Sequence, residues 1–342
     1  MNISIASKND INDIQSFINV EWKKNHILAR DESFFKYEYL YNNQVNFLLA
    51  KSGNKIQGVL GFLPSEIYKK NKVNHIEAIS DYCATVWKVK NNSIYPSTGL
   101  KLLQFLRDLN GMGVLFSVGI NEKTLGIYKF LDIYTGIMNH FVLINYSIKD
   151  FRIAKISKPQ NHRINYPKDQ KISIKIVKDE VELSKFKFDN FKEFIPFKNK
   201  EYFIKRYFEN PLYTYIIYGV YFLDGLRALF VTRIQDHNKV KIIRIIDFYG
   251  SQKYIKPFAR FLLDLMVKKK YEYADFYSFG LDNSVMESSG FDLINHSSDE
   301  LIIPNYFSPY LRKNIPINFF IDSKEVNRVR IFKGDGDQDR PN

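Results

Sequence analysis

The chain has 342 residues, 45% of them hydrophobic and 16% aromatic, with a net charge of +13 from 50 Lys and Arg against 37 Asp and Glu. That length suits two domains, and that apolar content excludes a disordered chain. One cysteine, Cys83, excludes a disulfide framework and a Cys-based zinc site, the six histidines show no metal-ligand spacing, and no apolar run approaches the roughly 20 residues that span a bilayer. The opening MNISIASKND has no basic segment followed by an apolar block, so a soluble, cytoplasmic protein without a secretory signal or structural metal is expected. The positive charge suits an anionic partner: nucleic acid, an anionic membrane surface or a phosphorylated small molecule. It is spread along the chain rather than gathered in one block, which argues against nucleic acid.

Two stretches share an order of elements. Residues 32–65, ESFFKYEYLYNNQVNFLLAKSGNKIQGVLGFLPS, read as an amphipathic aromatic helix, an apolar strand, a turn at Ser52-Gly53-Asn54 and a second apolar strand. A strand SDYCATVWKV follows, then a helix LKLLQFLRDL, a strand VLFSVG and a helix TLGIYKFL. Residues 201–234, EYFIKRYFENPLYTYIIYGVYFLDGLRALFVTRI, repeat the helix and hairpin, with Asp224-Gly225 in the turn. The strand VKIIRIIDFY, the helix IKPFARFLLDLMVKK, the strand YADFYSFG and a short segment before Gly290-Phe291 complete the second copy. Ser157 to Lys171 has two prolines and few apolar residues, as a linker would. The expected division is a first domain over 1–150, a linker over 151–170, a second domain over 171–327 and a C-terminal tail over 328–342. In that tail Asp335, Asp337 and Asp339 alternate as in the start of an EF-hand loop, but no closing Glu follows, so calcium is not expected.

Leu102, Leu103, Leu106 and Leu109 mark one face of the first long helix, so Tyr95-Pro96-Ser97-Thr98-Gly99 opens it. Pro fixes φ, Ser or Thr can cap, Gly lets a ligand approach the backbone, and the helix start offers N–H groups to a phosphate. The order helix, hairpin, strand, phosphate-type loop, helix, strand, Asn, helix with Tyr resembles the GNAT acyltransferase superfamily. The family loop is Arg/Gln-x-x-Gly-x-Gly/Ala. Counted from Val89, Ile94 takes the Arg/Gln position, Ser97 the first Gly and Gly99 the second, so two positions depart and the mode of pyrophosphate binding stays open. The family also shows Asn-x-x-Ala-x-x-Leu-Tyr-x-x-Gly-Phe. In FSVGINEKTLGIYKFL, residues Asn121, Thr124, Ile127 and Tyr128 keep that spacing, while Leu131-Asp132 replaces Gly-Phe.

The resemblance implies α/β (α+β) tandem GNAT-like folds, each a mixed, mostly antiparallel central sheet flanked by helices. It implies acyl-CoA as donor and no metal. Trp87, Val89, Ser97, Thr98, Gly99, Leu100 and Asn121 would line the coenzyme site, a backbone N–H near Val89 would bind the thioester carbonyl, and Tyr128 would protonate the leaving thiolate. The alternative for Asn121 is a plain helix cap, and for Tyr128 a half-buried helix residue. The second half lacks the loop, and no Tyr lies seven residues past Asn283, so acyl-CoA is assigned to the first half alone. Strand alternation puts Asp81, Cys83, Thr85, Trp87 and Val89 on one side, with Glu77 of the same parity. Asp81 is the expected base and Glu77, placed at the substrate, the second candidate; the alternatives are that Asp81 is a solvated strand-edge carboxylate and that the amine loses its proton to water. Cys83 has no His near it in sequence, and direct transfer needs no acyl-enzyme.

Trp22 to Arg30, WKKNHILAR, lies where such enzymes cover the acceptor. Trp22 and His26 with nearby basic groups would hold a nucleotide, or form a plain surface helix. The two-domain plan most resembles GNAT N-acyltransferases that modify the amino group of a dTDP-linked 3-amino-3,6-dideoxyhexose for O-antigen or capsule, with 3-hydroxybutanoyl-CoA or acetyl-CoA. The alternatives are a Fem-like transferase using aminoacyl-tRNA and a non-catalytic binding protein of two degenerate copies.

Overall fold

The structure is a computed structural model and describes residues 1–41, 43–65, 81–111, 113–157 and 171–341. The first half runs β1 (Asn2–Ser7), α1 (Ile11–Phe17), α2 (Ile27–Arg30), α3 (Glu32–Tyr39), β2 (Leu40–Tyr41), β3 (Gln44–Ser52), β4 (Lys55–Pro64), β5 (Tyr82–Val89), α4 (Thr98–Asn110), β6 (Leu115–Val118), α5 (Leu125–Phe130), β7 (Tyr134–Ile137) and β8 (Asn139–Ile144). A short strand β9 (Lys155–Ile156) precedes the second half. That half comprises β10 (Ile172–Ile176), α6 (Glu180–Leu183), α7 (Lys200–Phe203), β11 (Ile216–Phe222), β12 (Gly225–His237), β13 (Val240–Gly250), α8 (Ile255–Lys269), β14 (Tyr273–Phe279) and α9 (Asn283–Ser288). It closes with β15 (Asp292–Leu293), β16 (Leu301–Ile302), β17 (Asn318–Asp322) and β18 (Ile331–Phe332). Residues 158–170, most of the expected linker, lie outside the described residues.

Both expected hairpins form on two-residue loops, Ser52 facing Lys55 and Phe222 facing Gly225. Gly53 takes the left-handed backbone (φ +57°) that such a tight loop requires. The apolar faces of α4 (Leu102, Leu103, Leu106) and α8 (Phe258, Ala259, Leu262, Met266) are buried, each in the core of its own sheet. No helix among the described residues is long and apolar enough to cross a membrane.

The strand order is β1-β3-β4-β5-β6-β17-β7 in the first sheet and β10-β11-β12-β13-β14-β8-β15 in the second. Each is antiparallel except for one parallel pair at its centre, β5–β6 and β13–β14. The halves exchange strands. β8, from the first half, pairs with β14 along six residues, and β17, from the second, is held between β6 and β7. The divisions expected at 150 and 171 therefore fall between segments whose strands complete each other's sheets. Each central strand also carries one extra residue: Leu60 faces Trp87 but Phe62 faces Ala84, and Thr232 faces Ile245 but Val231 faces Asp247. Such a β-bulge reverses which face the following side chains take.

The segment from 328 onward, expected as a tail, is packed inside the molecule. β18 adds to β14 at Ser278 and Phe279, on the side where β13 and β14 diverge, and Gly334 lies against Ile246 of β13. Charge complementarity makes this burial tolerable for so polar a stretch. Lys198 Nζ lies 2.7 Å from both Asp247 and Asp335, Arg233 binds Asp339 at 2.7 Å, and Arg340 reaches Glu38 of α3 at 2.9 Å.

Candidate active site

Among the described residues β5 and β6 pair at Tyr82–Leu115 and Cys83–Phe116 alone. Beyond that point β5 runs on to Val89, while β6 ends at Val118 and the chain turns, Gly119 N–H donating to Asn318 O at 2.8 Å. A wedge opens between them. Lys90 N–H donates to Gln57 O (2.8 Å), which sets the phase of the β4–β5 ladder. In an antiparallel ladder the hydrogen-bonded positions alternate, so the N–H groups of Trp87 and Val89 point away from β4 and into the gap.

On the α4 side of the sheet the wedge meets a groove of about 560 Å³ lined by Trp87, Val89, Pro96, Ser97, Gly99 and Leu100, with Thr124, Gly126, Ile127 and Phe130 opposite. Gly99 keeps the groove open: a Cβ would sit 3.3 Å from Trp87 Cζ2 and 3.4 Å from Val89 Cγ2, a tight fit that only a small shift of those side chains would admit. The indole Nε1 of Trp87 is buried with no hydrogen-bond partner among the described residues. Tyr128, expected at the sulfur, lines neither this groove nor the cleft on the opposite face; it is buried in the core behind Trp87. Its ring stacks on Phe320 (4.4 Å) and lies 6.0 Å from Trp87. Burial pushes this phenol well above its ordinary value, so it stays protonated at neutral pH.

The opposite face of the wedge opens on a cleft of about 620 Å³ between the halves. The first half contributes Trp22, His26, Leu28, Phe34, Tyr39, Val86 and Gly119. The second contributes Tyr213, Arg233, Gln235, Arg244 and residues 305–308, and the C-terminal segment contributes Asp337, Gln338, Arg340 and Pro341. The Trp22 and His26 rings lie 4.6 Å apart, and His26 Nδ1 accepts the N–H of Leu28 at the start of α2. Arg233 lies over the Tyr213 ring at 4.2 Å.

No known protein-family model matches this chain, and no curated protein matches it in sequence. Solved structures do match. A GCN5-related N-acetyltransferase from Anabaena variabilis ATCC 29413 superposes with a TM-score of 0.57 at 11% identity, covering 94% of this chain and 72% of that one. A protein from Enterococcus faecalis V583 described as a probable N-acyltransferase gives 0.56 at 12% identity, with 94% and 71% covered. A GCN5-related N-acetyltransferase from Kribbella flavida gives 0.55 at 9%, with 94% and 70% covered. The fold is that of the GCN5-related N-acetyltransferases, in a tandem arrangement.

Within this GNAT fold, Trp87, Val89, Ser97, Gly99 and Leu100 meet around one groove, and Trp22 and His26 meet in the cleft. Thr98 does not join the groove; its hydroxyl donates to Tyr95 O (2.7 Å) and its methyl faces Gly58. Asn121 is a cap, Oδ1 accepting the N–H of Lys123 at 3.0 Å, and lines neither space. Glu77 lies outside the described residues.

The expected single face for Asp81, Cys83, Thr85, Trp87 and Val89 does not hold. The bulge sends Trp87 toward α4 but leaves Val86 packed against α1–α3 and Cys83 against the second half. Asp81 sits at the closed end of the wedge and lines neither space. Its carboxylate accepts the N–H groups of Val114 (2.9 Å) and Phe197 (3.0 Å), tying the halves together. Arg233, Arg340 and Asp337 escaped sequence reasoning, since their neighbours come from distant parts of the chain. The alternating Asp residues of GDGDQD were the one visible signal, noted for their likeness to the start of an EF-hand loop and set aside because no closing Glu follows.

Proposed function

We propose that this chain moves an acyl group from a coenzyme A thioester to the amine of a nucleotide-linked amino sugar. The observation that carries the reading is the parting of β5 and β6 beyond Cys83–Phe116, with a groove on one face of the gap and a cleft on the other. A pantetheine arm in the gap would have its phosphates at the start of α4, where Gly99 leaves room, and its thioester turned to the cleft. The N–H groups of Trp87 and Val89 would pair with the arm and the thioester carbonyl. One such donor aimed at a developing oxyanion is worth about 10²–10³ in rate. The neutral amine then attacks the carbonyl carbon; the C–N bond forms, the C–S bond breaks, and the amine's proton leaves to a base. Tyr128, kept protonated by its burial, donates to the departing sulfur.

The wedge of the second half favours coenzyme binding in the first half alone, because β18 and Gly334 occupy it. For the acceptor, the Trp22 and His26 rings offer a surface for a nucleotide base, and Tyr213 with Arg233 faces them across the cleft. A dTDP-linked 3-amino-3,6-dideoxyhexose fits this reading, with acetyl-CoA or 3-hydroxybutanoyl-CoA as donor. The test follows free thiol release from purified protein, acyl-CoA and a panel of nucleotide amino sugars. Thiol release that depends on the amine is expected. No thermal stabilisation by any CoA thioester, alongside stabilisation by tRNA, would replace this reading with the aminoacyl-tRNA one.

A further inference from the structure

The C-terminal segment places a carboxylate at the mouth of the wedge. Gly336 packs on the end of β6 so tightly that a Cβ there would come 2.5 Å from Val118 Cβ, and one on Gly119 would come 2.4 Å from the Gln338 amide nitrogen. Asp337, between these two contacts, lines the cleft together with Tyr39, Val86 and Gly119. Its neighbours in the alternating run are committed elsewhere, Asp335 to Lys198 and Asp339 to Arg233, each at 2.7 Å. The Asp337 carbonyl accepts the N–H of Arg340 (3.1 Å), but its carboxylate has no hydrogen bond or ion pair among the described residues, and the Arg340 side chain is held by Glu38.

We propose that Asp337 is the general base of the transfer, taking the proton that the acceptor amine loses as its nitrogen bonds the acyl carbon. The assignment rests on the acyl-transfer reading above. In the balanced step, the amine lone pair forms the C–N bond, the C–S pair leaves with sulfur, the N–H proton passes to Asp337 Oδ, and sulfur is protonated by the Tyr128 phenol. Solvent in the open cleft then exchanges both protons. Burial raises Asp337 to about 6, Glu38 adding to the rise while Arg340 and Arg206 oppose it. Tyr39 and Cys83 are the other titratable groups that feel it, and burial pushes both above their ordinary values, so they stay neutral. A base near 6 is ionised at neutral pH and closer to the amine's range than an ordinary carboxylate.

The experiment compares wild type with Asp337→Asn, with Asp337→Ser as a second variant, in full-length protein with acyl-CoA and the acceptor found by the thiol assay. Expected are a fall in kcat of about 10²–10⁴-fold, an unchanged thermal shift by coenzyme A, and, in the variants, loss of an acid limb expected near pH 6 in the wild-type kcat/KM profile. Variants that bind coenzyme A as wild type does, turn over within twofold of it and keep that limb would overturn the base assignment alone. A wild type that neither binds coenzyme A nor releases thiol would remove the acyl-transfer reading and the base with it.

Discussion

Replacing Lys198 by Met tests how the C-terminal segment is held. The ammonium is 1% exposed and lies 2.7 Å from Asp247 and 2.7 Å from Asp335, whose carboxylates are as buried as it is. Tyr207 O–H and Phe332 N–H each donate one further bond to the pair, at 2.6 and 2.8 Å. The Met side chain fills similar volume but leaves two carboxylates facing each other without a cation, and breaking a buried pair this way costs about 3–5 kcal/mol. At about 2.1 cal/mol/K of unfolding entropy per residue, 342 residues give about 0.7 kcal/mol/K. A single transition would therefore fall by about 4–7 °C. The loss depends on pH in a definite sense. Asp335 already sits at about 6, because burial and Asp247 outweigh Lys198. Without Lys198 its folded value rises further, so stability tied to its proton is present at low pH and lost as pH rises through that value. Differential scanning calorimetry should show a larger deficit at about pH 8 than at about pH 5, and Asp335→Asn added to Lys198→Met should recover much of it. A melting point within about 1 °C of wild type at about pH 8, or a deficit that grows on acidification, would refute the argument.

Three further outcomes are expected. Tyr128→Phe should lower kcat by about 100-fold while coenzyme A affinity stays within about twofold, checked by thiol release and calorimetric titration. Gly99→Leu should direct its side chain into the groove beside Trp87 and raise KM for acyl-CoA at least about tenfold, equivalent to about 1.4 kcal/mol, without loss of fold by circular dichroism. Asp81→Asn sets an amide N–H against one of the two backbone N–H groups that Asp81 accepts, and should cost about 1–3 kcal/mol in chemical denaturation with kcat unchanged. A kcat defect without a stability defect would restore Asp81 to the chemistry.

Much of the fold could be read along the chain because its signals are local. The two hairpins announce themselves by Gly53-Asn54 and Asp224-Gly225 between apolar runs, and the leucines of α4 repeat at helical spacing. The groove beside α4 was legible for the same reason, since Ser97, Gly99 and Leu100 follow Trp87 and Val89 within one strand–loop–helix unit. What escaped depends on distant pairing. NHFVLI and NFFID are short apolar runs that would suit either sheet, and nothing within them names the partner strand. The bulge in β5 moves Trp87 to the other face, a one-residue slip that alternation cannot reveal. KGDGDQDR looks solvated until Lys198, Arg206, Arg233 and Glu38 are brought around it.

The reciprocal trade of β8 and β17 sets a timetable for biogenesis. The first sheet lacks its sixth member until residue 322 has left the ribosome, so β6 and β7 wait with bare edges while nearly two hundred residues are made. Neither half expressed alone should yield a finished sheet, whereas the two fragments supplied together could complement one another. Folding should be slow and all-or-none for its length, since its decisive contacts join residues so far apart.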